Sequence, residues 1–316
     1  KIVGKWIVGT HHQFNDADTL KLQEAVDNAL NGDTILLRPG KYQLDKTPTT
    51  DLTIRGLTSQ PENVIIEISR PIKVSQKELS LENLSLKNSI PLEFIIFIKK
   101  GLLTADNIII KTSKVKKVIG MYNDSIFVSK NNRFVGKKLN TAIFLSDKAT
   151  LIADNNKFIK FKNAIETTHG QYEGKIDIKN IEIGHCQSSG LYIHGGIFNA
   201  INVNIYKSAS GAIIGGNARG DFGQLTIKDN KFFGLDILSG AKVKVERFKF
   251  DKNFQAGIHA SGSDSEITLL DGLISNSQTA FFSERNATII ASNINLKTNI
   301  INQFKENDGG TVKLRN

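Results

Sequence analysis

A chain of 316 residues, 40% of them hydrophobic, is long enough to bury a large core. Its apolar runs, such as Phe94 to Ile98, are far shorter than the ~18 residues a membrane-spanning helix needs. The excess of 41 Lys and Arg over 31 Asp and Glu gives a net charge of +10, which favours an anionic partner such as a uronate polysaccharide, nucleic acid or a membrane surface. The lysines are scattered, and no nucleic-acid motif accompanies the charge. Cys186 is the only cysteine, so no intramolecular disulfide forms and the fold must hold by packing and hydrogen bonds. Lys1 opens the numbered chain without an initiator methionine or apolar leader, which leads us to expect a mature or excised segment.

In chain order, the first feature is His11-His12, a metal pair only if a third ligand exists; solvation or terminal packing is the simpler expectation. Next, Leu22, Ala25, Val26, Ala29 and Leu30 recur at helical spacing, with Asp18 or Thr19 as N-cap and Gly32 as the stop. The spacing predicts an amphipathic helix over about 18–31, covering the unpaired edge and open core at the start of a solenoid.

Beyond it, short strand-like runs repeat. Gly120, Ala142, Ala164, Gly190, Gly211, Gly234, Gly257 and Ala280 each open a run such as Ala142-Ile143-Phe144-Leu145 or Gly257-Ile258-His259-Ala260, at intervals of 22, 22, 26, 21, 23, 23 and 23. Further strands lie between them, among them Lys175-Ile176-Asp177-Ile178, Gln224-Leu225-Thr226-Ile227, Val243-Lys244-Val245 and Glu266-Ile267-Thr268-Leu269. No fixed leucine skeleton or helical return supports a leucine-rich repeat, and a propeller blade needs about twice this period. The pattern predicts an all-β chain: one single-stranded right-handed parallel β-helix with coils of about 22–23 residues over about 33–305, forming one domain across 1–316. Asn230, Asn253 and Asn276, each four residues before the next Gly or Ala, are expected to stack their amides at a corner.

The run Asn31-Gly32-Asp33-Thr34-Ile35-Leu36-Leu37-Arg38-Pro39-Gly40-Lys41-Tyr42, followed by Leu52-Thr53-Ile54-Arg55-Gly56 and Leu79-Ser80-Leu81-Glu82-Asn83-Leu84-Ser85-Leu86-Lys87-Asn88, resembles the opening of the pectate-lyase-like superfamily of right-handed β-helices. The resemblance covers about residues 14–305 and implies the β-helix fold and an extracellular, periplasmic or cell-surface location. It does not carry one activity. The superfamily holds lyases, hydrolases, esterases, epimerases, tailspikes and noncatalytic proteins, and the signature motifs of its pectate lyases, polygalacturonases and alginate epimerases do not occur in this chain; Gly184-His185-Cys186 only superficially matches a polygalacturonase motif.

Strand alternation orders the outer surface. With the residue after each opening Gly or Ala facing in, Tyr122, Phe144, Glu166, Tyr192, Ile213, Asp236, His259 and Phe282 form one outward column. Asp124, Ser146, Thr168, His194, Gly215, Leu238, Ser261 and Glu284 form a second. Coils roughly 4.8 Å apart make Glu166 and Tyr192 neighbours, set His194 diagonal to Glu166, and place Asp236 beside His259. Tyr122, Phe144, Tyr192 and Phe282 are expected as exposed rings on which a sugar chain stacks, with covering loops as the alternative. The 26-residue interval leaves room for a loop over 168–174, and 215–221 reads as a polar, Gly-rich excursion; together they are expected to wall a groove near Tyr192 and His194.

A hydrolase needs two carboxylates about 5 to 9.5 Å apart, whereas Glu166 and Asp236 are three coils, or ~14 Å, apart; loops that gather Glu173, Asp221 and Asp236 are the route by which hydrolysis, the disfavoured chemistry, stays open. Uronate β-elimination or C5 epimerisation needs a carboxylate neutraliser, a base and a proton donor. Arg219, His194 and Tyr192 are the candidates, with His259 as an alternative base; Tyr122, Phe144, Glu166, His169 and Asp236 are candidate substrate contacts. Calcium held by Glu166, Asp236 or Asp221 is an alternative neutraliser. Arg219-Gly220-Asp221 also matches an integrin-type tripeptide, too short a match to carry weight. The expected function is that of a polysaccharide lyase or C5-epimerase acting on an acidic polysaccharide. A noncatalytic module for polysaccharide binding, adhesion or scaffolding is the alternative, and nothing in the pattern specifies an oligomeric state.

Overall fold

Each coil hydrogen-bonds in parallel to the coil before and after it, and this single rule generates the architecture. The computed structural model describes residues 5–8, 16–112, 114–170, 172–299 and 301–315, with side chains from residue 22 onward; His11 and His12 lie outside the described residues. The chain winds through about 12 turns of ~23-residue coils as a right-handed parallel β-solenoid.

Three strand positions per coil make three faces. The first face runs through Leu92–Lys99, Val115–Tyr122, Thr141–Leu145, Ile165–Thr167, the start of Ser189–Tyr206, Ser210–Gly215, Phe233–Leu238, Ala256–Ser261, Thr279–Glu284 and Asn302–Asn307. The second includes Leu102–Asp106, Ile126–Lys130, Thr150–Asp154 and Arg219–Phe222. The third includes Ile109–Lys111, Arg133–Val135, Lys157–Ile159 and Leu225–Lys228.

Alternation sends every second side chain inward, where equivalent positions stack from coil to coil. On the first face, Ile143, Ile165, Leu191, Ala212, Leu235, Ile258 and Phe281 are fully buried in one such stack. Each large member contributes about 1.5–3 kcal/mol by leaving water. Cys186 is buried among these coils as a free thiol, and burial pushes its pKa up to about 11.

The N-terminal helix runs Asp16–Asn28, so Asp18 and Thr19 sit in its first turn instead of capping it. Leu22, Ala25, Val26 and Ala29 pack into the core, but Leu30, expected with them, lies past the helix end and is 68% exposed.

Two asparagine arrays hold the corners. Between the second and third faces, Asn83, Asn107, Asn131, Asn155, Asn180 and Asn202 all adopt φ between 52° and 56°, a left-handed turn that Asn enters at lower cost than most residues. Their amides bond along the axis: Asn107 donates to Asn83, Asn155 to Asn131 and Asn202 to Asn180, each at 2.8 Å. At the corner leading to the first face, Asn230 donates to Asn253 at 2.9 Å, and both are buried. Asn276 does not continue this inner stack. The strand register sets Asp251 against Ser275, so Ser277 takes the inner place. One extra residue turns Asn276 outward at φ 56°, where its amide donates to Asp251.

A second register correction concerns Tyr122. Gly120, not Tyr122, pairs with Phe144, because the first-face strand of that coil begins earlier than its glycine suggests. Gly120 is an outward position kept bare by the Phe94 ring, which a Cβ there would meet at 2.4 Å. Tyr122 therefore belongs to the second outward column, in the place expected for Asp124.

Asn253→Ala removes a fully buried amide and strands its partners, so a loss of about 1–3 kcal/mol in unfolding free energy is expected. Asn276→Ala, at an exposed site, should stay within about 0.5 kcal/mol of the parent. Denaturant titration followed by circular dichroism measures both, and equal losses would overturn the register assigned to this corner.

Candidate functional site

From Phe144 onward the outward columns follow the expected order: Phe144, Glu166, Tyr192, Ile213, Asp236, His259 and Phe282 are successive cross-strand partners. Two residues along each strand lie His194, Gly215, Leu238, Ser261 and Glu284.

The centre of this face is built by a glycine corner and a tethered loop. Gly195 and Gly196, at φ +88° and +72°, turn the chain onto the second face directly after His194. A Cβ at Gly195 would meet the Tyr172 carbonyl at 2.5 Å and one at Gly196 the Tyr172 ring at 2.5 Å, so only glycine fits. Tyr172, in turn, is buried and donates its hydroxyl to the Ala149 carbonyl at 3.0 Å, with burial raising its pKa far above the usual phenol range. It anchors the start of the strand Tyr172–Gly184, so the expected loop over 168–174 is shorter than its interval suggests, and His169 comes before this anchor, over the face.

There His169 Nε2 is 2.9 Å from the Tyr192 hydroxyl, and its ring centroid is 4.2 Å from that of His194. Tyr192 and His194 rings are 4.7 Å apart. The His194 ring lies over Gly215, where a Cβ would come within 3.0 Å of it, and its backbone N–H donates to Thr167 Oγ1 at 2.7 Å. His194 Nε2 is buried with no hydrogen-bond partner among the described residues. Burial, and then the charge of His169, lower the His194 pKa, so the imidazole is neutral at pH 7. Burial, and then the charge of Glu166, raise the Tyr192 pKa, so the phenol keeps its proton. Glu166 accepts from Thr141 at 2.6 Å and Asn163 at 2.9 Å through Oε2.

Toward the N-terminal side, Phe94, Phe97, Tyr122 and Phe144 form a run of rings with successive centroids 5.1 to 5.9 Å apart. Phe144 is not the open platform expected: it is buried, and Lys117 Nζ lies 3.3 Å from its ring centroid. Phe282 is half-buried, with Lys305 Nζ 4.4 Å from its centroid.

Toward the C-terminal side, Asp236 Oδ1 is 2.7 Å from His259 Nδ1, both residues being buried. Glu284 Oε1 is 3.6 Å from His259 Nε2, and Ser261 donates to the same oxygen at 3.2 Å. Phe233 stacks on the imidazole at 4.5 Å. The imidazole lies between the two carboxylates; Asp236 holds it by hydrogen bond, while His259 Nε2 is buried with no hydrogen-bond partner among the described residues.

Arg219 and Asp221 do not join either cluster. The 215–221 segment is not a loop: Gly216 and Asn217, at φ 60° and 62°, make a tight corner, and Arg219–Phe222 is a strand of the second face. Glu166 and Asp236 are three coils, or ~14 Å, apart, so the three carboxylates proposed for calcium do not meet. Among the described residues no three His, Cys, Asp or Glu side chains are grouped to hold a metal ion.

Sequence reasoning missed Lys117, hidden by the register slip around Gly120, and Glu284 beside His259. The latter was legible from its diagonal relation to His259 in the second column.

Two outcomes are expected. Asp236→Ala leaves the buried His259 Nδ1–H without an acceptor and should cost about 1–3 kcal/mol of stability by denaturant titration. For His194, the folded pKa lies below the ordinary 6.5, so the unfolded chain binds the proton more readily. The His194 contribution is complete above about pH 6.5 and is lost as pH falls through the window beneath it. The denaturation midpoint should therefore drop between pH 7 and pH 5 by less in His194→Gln than in the parent.

No family model matches the chain, and no curated protein sequence matches it. Among solved structures, the catalytic unit of a GH87 α-1,3-glucanase from Streptomyces thermodiastaticus strain HF3-3 superposes with a TM-score of 0.65 at 12% identity, covering 100% of this chain and 69% of that one. A PL6 alginate lyase in complex with a trisaccharide gives 0.61 at 12% identity, with 99% and 88% covered. The polygalacturonase of Erwinia carotovora ssp. carotovora gives 0.58 at 9% identity, with 99% and 96% covered. These likenesses are of fold, and they agree with the coil geometry: the chain is a right-handed parallel β-helix.

Proposed function

We propose that this protein is a carbohydrate-active β-helix protein that processes an acidic polysaccharide along its first face, as a lyase or C5-epimerase. One observation carries the reading: a proton-bearing Tyr192, bonded to His169, stands beside a neutral His194 whose Nε2 has no partner among the described residues. That is a base and an acid within reach of one sugar ring. The polysaccharide-acting neighbours of the same fold support a polymer as substrate.

In the proposed reaction a uronate residue displaces the exposed His169 ring and presents C5–H to His194. His194 takes the proton. In β-elimination the C4–O bond breaks as the C4–C5 double bond forms, and Tyr192 protonates the departing oxygen. In epimerisation Tyr192 instead returns a proton to the opposite side of C5, and no chain bond breaks. Arg219, on the second face, cannot neutralise the uronate carboxylate here. Lys117 takes that role on the N-terminal side: its strand is three coils from Tyr192, but its ammonium extends over Phe144 on the next coil into the field of Glu166 and so stands within two coils of Tyr192. His259 lies three coils from Tyr192, ~14 Å away, too far to share the same ring. The proposed place of action is extracellular, periplasmic or at the cell surface; among the described residues no helix is long and apolar enough to cross a membrane.

The half-buried Phe97 and Tyr122 rings favour a second reading, a noncatalytic polysaccharide-binding module that needs only stacking surfaces.

The test is incubation with alginate, polygalacturonate and glycosaminoglycans, with and without calcium. Unsaturated-uronate absorbance and reducing ends report cleavage, and solvent-deuterium incorporation at C5 reports epimerisation. On the active polymer, His194→Asn and Tyr192→Phe should each lower kcat/KM by about 10²–10⁴. Because its imidazole stays neutral to lower pH, the acid limb of the parent should fall below pH 6.5. A flat response on every polymer together with measurable binding would sink the enzyme reading in favour of the binding module.

A further inference from the structure

The second face carries a groove of about 450 Å³ that the first-face chemistry does not use. It runs along the axis between two rows of outward side chains. One row is Ile197, Arg219, Lys242 and Glu266; the other is Asn199, Asp221, Lys244 and Thr268, each residue the direct cross-strand partner of the next.

Two cations adjoin here. At some directly paired positions opposite charges meet, as Arg55 and Glu82 do at 2.5 Å and Lys157 and Glu182 at 2.8 Å, whereas at others, such as Lys87 with Lys111 and Arg133 with Lys157, like charges are partners. In the groove Arg219 and Lys242 are direct partners, one strand spacing apart, and like charges so placed repel. Neither has an ion pair or hydrogen bond among the described residues. Lys244 is the only basic residue of the groove already engaged, to Glu246 at 2.5 Å. Asp221 and Glu266 also line the groove, Glu266 as the direct cross-strand partner of Lys242, but neither forms an ion pair with Arg219 or Lys242 among the described residues. Beside Arg219, Ile197 is 61% exposed, an apolar surface next to two unsatisfied cations.

Both features suit one ligand class. A uronate sugar has an apolar C–H face for Ile197 and a planar carboxylate for the guanidinium fork of Arg219, with Lys242 as the second charge. The long, shallow shape follows three strand spacings, ~14 Å, which fits a linear chain better than a compact anion. We infer that this groove is a second binding site, separate from the His194 centre, for a short stretch of uronate polysaccharide, clamped by Arg219 and Lys242. It rests on the proposed acidic substrate and deepens it: the polymer is held on one face while the adjoining face reacts with it.

Isothermal titration with a homogeneous oligogalacturonate or oligoguluronate, at low and at moderate salt, tests the inference. The parent should show two binding events. In Arg219→Ala/Lys242→Ala one event should weaken by about tenfold or more, the cost of losing charge-assisted contacts, and its salt dependence should flatten. His194→Asn should lower turnover by about 10²–10⁴ while leaving that event in place. Identical isotherms for the parent and the double variant would overturn the groove, as would equal binding of a carboxyl-reduced, neutral oligosaccharide. If the groove event is present and salt-sensitive but no polymer turns over, the catalytic reading fails and the groove stands. Both cations are exposed, so the double variant should keep the circular dichroism spectrum of the parent, which checks folding.

Discussion

The parallel hydrogen-bond ladder between successive coils is the constraint from which the rest follows. It fixes neighbouring strands at about 4.8 Å, so a residue's cross-strand neighbours are found some 22 residues away in sequence. Columns of like environment result: aliphatic stacks inside, asparagine arrays at the corners, and rows of exposed side chains on each face. Burial of the inner stacks stabilises the coil, but the ladder decides which functional groups meet. Tyr192 lies beside Glu166, and Asp236 beside His259, for no other reason.

The same constraint separates chemistries. Groups more than two coils apart cannot act on one sugar ring, which divides the first face into a Tyr192–His194 centre and an Asp236–His259–Glu284 cluster. Groups on different faces are divided by a corner, which removes Arg219 from His194 although only 25 residues of chain separate the two. Within the first centre, solvent exclusion lowers the His194 pKa and raises that of Tyr192, leaving a neutral imidazole beside a protonated phenol.

The period, the capping helix and the outward order from Phe144 to Phe282 were legible because they depend on alternation and spacing, which a sequence states directly. What failed depended on single glycines and single insertions. Gly120 reads as the opening of a strand, yet it is an outward position emptied by the Phe94 ring. Asn276 reads as the third member of an inner stack, yet one added residue turns it out. The Gly216-Asn217 corner resembles a loop in composition, and only its left-handed dihedrals show a strand resuming at Arg219. His169 was selected for its position after Glu166; its contact with Tyr192 depends on the Tyr172 anchor, a tertiary bond with no local signature.

That anchor has a consequence for how such a protein diversifies. The long 26-residue interval takes up its extra length between Glu166 and Lys175, at a corner, and leaves the ladder of the following coil in step. Tyr172 pins the end of the insertion, so residues inside it can change in number or kind while the scaffold registers no alteration. The β-helix thus separates heredity of shape from heredity of specificity: selection can rewrite what leans over His194 without having to refold what lies beneath it.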